Sequence, residues 1–194
     1  WIAFVDGDDY VEELYIETLV DVLNKNSECK LAICNHLEFR DGGGKRRIEW
    51  FSNHDTTKEK EKLIKKAIGI NINGECGRHF GAVWSRLYEL KIIRDNNIEF
   101  YENMVFGEDL LFNIQYLKYV NTACMTQKYL YNYRLRYKSS SRKKLDSVKY
   151  EAFLYPYLAT IKSIFSDEDY KALADFMSIH LIYKMLSGKS SIDR

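Results

Sequence analysis

An unbroken apolar run at residues 2–5 is directly followed by three carboxylates within four positions, Asp6, Asp8 and Asp9. Apolar runs without alternation are typical of a strand that is covered on both faces of a parallel sheet. Ligands of open α/β sheets bind at the carboxyl ends of such strands. We therefore expect the three carboxylates to lie at a strand end and to line a site.

Downstream, the spacing of apolar residues changes between helix-like and strand-like periods. It predicts an amphipathic helix over residues 11–26 and a strand over residues 30–39. The turn-forming run at residues 41–44 leads to a return strand from residue 45. Helices interleaved with strands indicate an α/β fold.

The rest of the chain continues this pattern of helices and short strands. Helices are predicted over residues 56–68, from residue 90 to residue 95, from residue 108 for about three turns and twice within residues 146–188, and short strands near residues 121–128 and 129–135.

Composition narrows the class of protein. With 194 residues, 46% of them hydrophobic, the chain is long enough for one domain, or for one domain with a small helical extension. A net charge of +1 gives no overall field that favours nucleic acid or a membrane surface. Apolar runs are too short and too interrupted for a transmembrane span, and no signal peptide is visible. The four cysteines form no CxxC pair, which fits a reduced, cytoplasmic protein.

The closely spaced carboxylates suit a hard divalent cation, because Mg²⁺ and similar ions bind one or two carboxylates together with substrate phosphates. The alternative is structural. Asp8 or Asp9 would cap the next helix, and Glu12 stands three residues after Asp9 as in a capping box. One cap needs one Asp and this turn has three, so we favour a functional cluster.

A second acidic pair, Glu108 and Asp109, follows Gly107 and opens a predicted helix. Acidic residues are common in first helical turns, so a structural role is the alternative. A helix N-terminus stabilises the ionised form, and an ionised Asp109 held there can accept a proton from a hydroxyl group.

Four glycines in residues 69–81 favour unusual backbone angles. The segment lacks the spacing of a phosphate-binding P-loop and of a dinucleotide fingerprint. It is either a mobile loop near a site or a plain connector, and Arg78 and His79 would give it phosphate or acceptor contacts.

In two segments the chain resembles glycosyltransferase family 2, whose members have the GT-A fold. One is FVDGDDYV, which is similar to the family's DxD segment, and the other is VWSRLYELKIIRDNNIEFYENMVFGEDLLFN, which is similar to its acceptor half. The two motifs occur in the family's order and about a hundred residues apart, which is more specific than either alone. The resemblance covers residues 1 to about 137.

This resemblance implies a truncated GT-A mixed sheet flanked by helices. Residues 1–145 would form the metal and acceptor part of the domain, and residues 146–194 a helical C-terminal extension. The family's first nucleotide-binding half, with its uracil-contacting Asp, would precede residue 1. We therefore expect these 194 residues alone to bind a nucleotide sugar poorly and to transfer little or nothing.

For the donor, the resemblance places Asp6 near the ribose or the donor sugar. Asp8 would be the principal contact of a Mg²⁺ or Mn²⁺ ion, and Asp9 would support the metal or the donor sugar. Arg134 and Arg136, with the nearby Lys138, would face the diphosphate or an anionic acceptor; solvated surface is the alternative.

For the acceptor, the resemblance makes Asp109 the catalytic base and lets Glu108 shape the acceptor pocket. Trp84 would pack against a sugar ring, or it is a core residue, since large aromatics serve both roles. His79 would add an acceptor contact from the glycine-rich segment.

The function implied is an inverting, metal-dependent glycosyltransferase that moves a sugar from a nucleotide-diphosphate donor, expected to be a UDP-sugar, to a saccharide or lipid-linked saccharide. Peripheral association with the inner face of the membrane is compatible with this activity.

The alternatives are a non-catalytic carbohydrate-binding or assembly module, a nucleic-acid protein and a phosphohydrolase. Near-neutral charge and the absence of a nucleic-acid motif disfavour the second, and the Gly-Glu-Asp element disfavours the third. Donor sugar, acceptor, linkage and oligomeric state are left open by the sequence.

Overall fold

The computed structural model describes residues 1–50, 57–67, 80–102 and 107–136, with isolated positions between 155 and 174. Several predictions fall outside these residues. They concern Arg78 and His79, Lys138, most of the glycine-rich segment, most of the C-terminal helices and the domain boundary between residues 145 and 146.

Within the described part of the chain, one sheet and four helices form the fold. The strands are β1 (Tyr10–Val11), β2 (Leu31–Phe39), β3 (Lys45–Ile48), β4 (Thr57–Glu59), β5 (Arg86–Tyr88) and β6 (Thr122–Arg134). The helices are α1 (Tyr15–Lys25), α2 (Lys60–Ala67), α3 (Leu90–Asp95) and α4 (Glu108–Leu117).

The sheet is mixed and centred on one parallel pair, β2 and β6. All other pairings among the described strands are antiparallel: β1 and β4 with β6, and β3 and β5 with β2. The parallel register runs from Ala32 opposite Cys124 to Phe39 opposite Arg134, so both strands end at the same edge. This arrangement confirms the predicted α/β class with a mixed sheet and flanking helices.

The two central strands are buried over most of their length. In β2, residues 31–36 are all buried, and this burial on both faces explains why residues 31–34 are apolar without alternation. Helix α1 packs on the sheet with Tyr15, Leu19 and Leu23, and the Tyr15 hydroxyl donates a 3.1 Å hydrogen bond to the Arg86 carbonyl of β5. The core therefore fixes β5 and β6, the two strands that lead to the site.

The predicted parallel strand at residues 2–5 is not a regular strand in the structure. Ile2 forms one antiparallel bridge with Tyr88, with two backbone hydrogen bonds of 2.9 Å, and Val5 is 47% exposed. In an antiparallel pair residues 3–5 would lie opposite residues 87–85, and β5 ends in that direction at Arg86, next to Ser85 with a left-handed φ of 66°.

Two other predictions differ in detail. The helix expected over residues 56–68 begins later, because residues 57–59 form β4 at the edge of β6. The two short strands expected over residues 121–135 are one 13-residue strand, β6. The apolar pattern of β6 changes where two strands were predicted to meet. At this point the register between β2 and β6 shifts around Asn35, and β6 continues as one strand.

Candidate functional site

The first part of the site is the acidic turn, defined here as residues 6–9. The Asp9 N–H donates to the Asp6 carbonyl at 3.0 Å, which closes the turn. The Tyr131 hydroxyl lies across it, accepting the Asp6 N–H at 3.1 Å and donating to Asp9 Oδ2 at 2.8 Å. The Arg134 N–H donates to Asp9 Oδ1 at 2.8 Å. Both carboxylate oxygens of Asp9 are therefore hydrogen-bonded to β6.

The acidic turn does not cap the following helix. Helix α1 begins at Tyr15, its N-cap residue is Leu14, and no side chain hydrogen-bonds to the free N–H groups there. Residues 10 and 11 pair with β6 instead, which separates the turn from the helix. The structural alternative for Asp8 and Asp9, a helix cap, is therefore wrong.

Arginines at the end of β6 contact the turn from the other side. Arg134 Nε donates to the Asp8 carbonyl at 2.8 Å, and its guanidinium pairs with Asp41 at 2.5 Å. Arg136 Nε lies 3.0 Å from Asp8 Oδ2, in a pair that is largely open to solvent. Arg134 thus holds the backbone of the turn, whereas the Arg136 pair costs little to separate.

The second part of the site is the start of α4. Gly107 takes a left-handed conformation with φ of 80°, which glycine adopts without a Cβ clash, and helix α4 begins at the next residue. Asp109 is in the first turn, and its Oδ2 accepts the Val83 N–H at 3.4 Å. The segment that leads into β5 therefore supplies a backbone donor to this carboxylate.

The electrostatic environment of Asp109 raises its pKa to about 6. Burial is the largest cause, followed by the neighbouring Glu108 carboxylate; Asp6 adds to the increase, while the Val83 N–H and Arg86 oppose it. The stabilisation expected from the helix N-terminus is outweighed by this desolvation. At pH 7 Asp109 is still mostly ionised, and its affinity for a proton is higher than that of an ordinary Asp.

The carboxylates of the acidic turn and of the start of α4 influence each other's pKa. Burial raises the pKa of Asp6, and the carboxylates of Asp9, Asp8 and Glu108 raise it further. Glu108 thus raises the pKa of Asp6, and Asp6 raises the pKa of Asp109, although about a hundred positions separate them in the chain. The acidic turn and the start of α4 are therefore near each other, and their joint role in one site stays a prediction.

Trp84 is in the core. It is 2% exposed and stacks on Tyr131 with ring centroids 4.7 Å apart and on Tyr133 at 5.2 Å. The His36 ring meets it edge-on at 4.8 Å. This position favours the core alternative, and an acceptor contact by Trp84 stays a prediction.

The donor set available to a metal is small. Among the described residues no group of three or more His, Cys, Asp and Glu side chains is arranged to hold a metal ion. Asp9 uses both oxygens within the protein, whereas Asp8 has one oxygen in a solvent-exposed ion pair. One or two carboxylates suffice for Mg²⁺ when substrate phosphates complete the shell. The residues present fit a metal that arrives with a phosphate ligand.

Three residues with structural importance for the site were not identified from the sequence: Tyr131, Arg86 and Asn113. Tyr131 bridges the acidic turn, and Arg86 is a buried cation near Asp109. The side-chain amide of Asn113 donates hydrogen bonds to the carbonyls of Ala82, next to Val83, and of Asp109. The available signal is a polar residue inside an apolar stretch, since buried polar groups are retained where they make hydrogen bonds.

Among the helices that the structure describes, none is both long enough and apolar enough to cross a bilayer.

The comparisons with known proteins support the fold. No protein-family model and no curated protein sequence matches the chain. Crystal structures of S. aureus TarS 1-349 are similar to it. The complex with UDP has a TM-score of 0.63 at 13% identity, covering 95% of this chain and 46% of that one. The complex with UDP-GlcNAc has a TM-score of 0.63 at 15% identity, covering 94% and 48%.

The chain thus spans about half the length of the TarS structures that it matches. At this level of identity the likeness shows the fold alone. It confirms the predicted GT-A-like α/β architecture.

Proposed function

We propose that this chain is part of a glycosyltransferase that moves a sugar from a nucleotide-diphosphate donor to a saccharide hydroxyl. The observation that carries the proposal is the convergence of the acidic turn with Asp109, whose pKa is raised to about 6. A carboxylate with this proton affinity is suited to general-base work near neutral pH. The presence of UDP and UDP-GlcNAc in the TarS structures supports a nucleotide-sugar donor.

In this proposal Asp109 takes the proton of the acceptor hydroxyl. The hydroxyl oxygen attacks the anomeric carbon, the bond between that carbon and the diphosphate oxygen breaks, and its electron pair leaves with the nucleotide. A single displacement of this kind inverts the anomeric configuration and needs no covalent intermediate. Glu108 lines the acceptor side and keeps the pKa of Asp109 high by charge repulsion.

Asp8 and Asp6 are the residues that would hold the metal and the donor. A bound Mg²⁺ or Mn²⁺ ion supplies positive charge that neutralises the leaving diphosphate. Asp9 mainly fixes the shape of the turn through β6, and a metal contact by Asp9 remains a secondary part of the proposal.

The test is a comparison of the wild type with Asp109→Asn in the full natural protein. Donor binding is measured by calorimetry with UDP and Mn²⁺, and transfer by a screen of nucleotide sugars with candidate saccharides. We expect Asp109→Asn to bind UDP like the wild type and to lose transfer. Wild-type turnover in this variant would refute the base assignment.

Metal-dependent UDP binding without any hydrolysis or transfer would contradict the proposed transferase activity and support a non-catalytic binding module. Release of free phosphate without an acceptor would instead support a phosphohydrolase.

A further inference from the structure

Asn113 is the buried polar residue of α4, with 1% of its surface exposed. Its Nδ2 group donates to the carbonyls of Gly81 at 2.8 Å and Ala82 at 2.9 Å, and lies 3.1 Å from the Asp109 carbonyl. Its Oδ1 accepts the Tyr88 hydroxyl at 2.7 Å. Since carbonyl oxygens only accept hydrogen bonds, the three carbonyls fix which end of the amide faces them.

Tyr88 extends the same network to the next residue. Its hydroxyl also lies 3.1 Å from the Val83 carbonyl. The ring is fully buried in β5 and packs edge-on against Phe112 and Tyr116 of α4. Asn113 and Tyr88 together hold three successive carbonyls, those of residues 81–83, against α4.

The same segment approaches the helices closely. A Cβ atom on Gly81 would lie 3.2 Å from the Ala67 carbonyl of α2 and 3.4 Å from Leu110 Cδ1 of α4. The absence of a side chain lets the Gly81 carbonyl reach Asn113. The direction of the Val83 N–H, which points at Asp109 Oδ2, follows from this fixed backbone.

We propose that Asn113 is a positioning residue for the candidate base: it holds residues 81–83 on α4 and so directs the Val83 N–H at the Asp109 carboxylate. This inference rests on the proposed function, because it assigns a purpose to the geometry around the base. Asn113 acts through Val83 and touches Asp109 only at its backbone.

Other groups also act on Asp109 and must be separated from Asn113. Glu108 on α4 and Asp6 on the acidic turn raise its pKa, while Arg86 on β5 lowers it. None of these charges changes when Asn113 is replaced by a neutral residue. Loss of the Val83 N–H removes a hydrogen bond to the ionised form, and the pKa of Asp109 should therefore rise.

The experiment replaces Asn113 and Tyr88 separately in the full natural protein, as Asn113→Ala and Tyr88→Phe. The pKa of Asp109 is read by ¹³C NMR titration of its carboxyl carbon, and kcat and KM for the donor are read across pH. We expect Asn113→Ala to raise the pKa by roughly 0.5 to 1 unit. It should lower kcat by roughly tenfold and leave donor KM within about twofold.

Tyr88→Phe keeps the ring packing and removes only the hydroxyl. It therefore tests the hydrogen bonds that hold residues 81–83 even if Asn113→Ala does not fold. We expect Tyr88→Phe to raise the pKa of Asp109 as well, by less than Asn113→Ala does. The matched control is Asn35→Ala. Asn35 is a fully buried amide on β2, which accepts the Trp50 N–H at 3.2 Å and donates to the Gln127 carbonyl at 3.3 Å.

Asn35→Ala should lower stability and leave the pKa of Asp109 unchanged. An unchanged pKa in both Asn113→Ala and Tyr88→Phe would overturn the inference, and so would an equal shift in Asn35→Ala. The NMR titration does not depend on turnover. Failure of the proposed function would appear in Asp109→Asn activity, whereas failure of the positioning role would appear in the titration.

Discussion

The hydroxyl of Tyr131 donates a 2.8 Å hydrogen bond to Asp9 Oδ2 and, at the same time, accepts the N–H of Asp6. A single phenol oxygen thus spans the acidic turn from its first residue to its last. The Tyr131 ring is itself fixed by stacking on Trp84 at 4.7 Å. Through this one side chain of β6, the core helps to fix the backbone at Asp6 and the carboxylate of Asp9.

Tyr131→Phe removes this bridge and keeps the ring. Hydrogen bonds to charged groups contribute about 1.5–3 kcal/mol, so we expect the free energy of unfolding to fall by about 2 kcal/mol. The Asp6 N–H also loses its acceptor, and UDP binding in the presence of Mn²⁺ should weaken. Urea denaturation and calorimetry measure the two effects.

Tyr129→Phe is the control on the same strand. Its hydroxyl bonds to Glu49 at an exposed position away from the acidic turn. This variant should change stability by less than about 1 kcal/mol and leave UDP binding unchanged. Equal loss of binding in both variants would show that the Tyr131 bridge has no special role.

Asp109→Asn should make the folded protein more stable at pH 7. The pKa of Asp109 is about 6 in the folded protein, against about 3.9 for an unfolded Asp. Between these values the native state binds more protons than the unfolded state, so the free energy of unfolding falls as pH rises. Removing the carboxyl should restore about 1–3 kcal/mol above pH 6.

Thermal unfolding between pH 4 and pH 8 tests this prediction. Asp6 and Asp9 also have raised pKa values and contribute with the same sign, so the difference between wild type and variant is the informative quantity. Parallel pH curves for the two proteins would contradict the raised pKa of Asp109.

Asp8→Asn should weaken metal-dependent UDP binding with little effect on stability. The Asp8 pair with Arg136 is exposed and contributes at most about 1 kcal/mol. We expect the affinity for UDP with Mn²⁺ to fall by at least about tenfold, and removal of the metal with EDTA to reduce the wild type to a similar level.

Asp41→Asn is the matched control, because Asp41 pairs with the other arginine at this edge and is highly exposed. Its affinity for UDP should stay near that of the wild type. If EDTA lowered the UDP affinity of the wild type and of Asp8→Asn equally, the assignment of Asp8 as a metal ligand would be wrong.

Gly81→Ala should destabilise the fold, whereas Gly7→Ala should not. The added Cβ at Gly81 meets the Ala67 carbonyl at 3.2 Å, and crowding of this kind costs about 1–3 kcal/mol. No atom lies within 4 Å of a Cβ on Gly7, so that change should stay within about 1 kcal/mol. Urea denaturation of the two variants compares them directly, and equal stability would contradict the close approach at Gly81.

The elements rich in apolar residues were predictable from the sequence. Strand β2 begins with a run of apolar residues, helix α4 has apolar residues at most of its positions, and the structure has both where they were expected. The acidic turn and Asp109 were identified because closely spaced carboxylates at element ends are unusual. The strand at residues 2–5 was wrong because a strand is defined by its neighbours, and the local pattern does not contain them.

Tyr131 shows why the supporting residues were not found. Its own neighbourhood on β6 is an ordinary run of aromatic residues, and its hydroxyl partners are 122 and 125 positions away. Asn113 is similar, because its partners lie near residue 81 and in β5. Period and propensity describe local structure, whereas these bonds depend on the pairing of distant segments.

The long sequence separation between the acidic turn and Tyr131 also matters during synthesis, because the turn is made well before its hydrogen-bond partners. At about 5–20 residues per second, a ribosome would take roughly 6 to 25 s to advance from the acidic turn to Tyr131. During that interval three neighbouring carboxylates have neither the phenol nor the Arg134 N–H to hold them, and closing so long a loop is costly in entropy. Ligand-binding competence should therefore arise only after β6 joins the sheet.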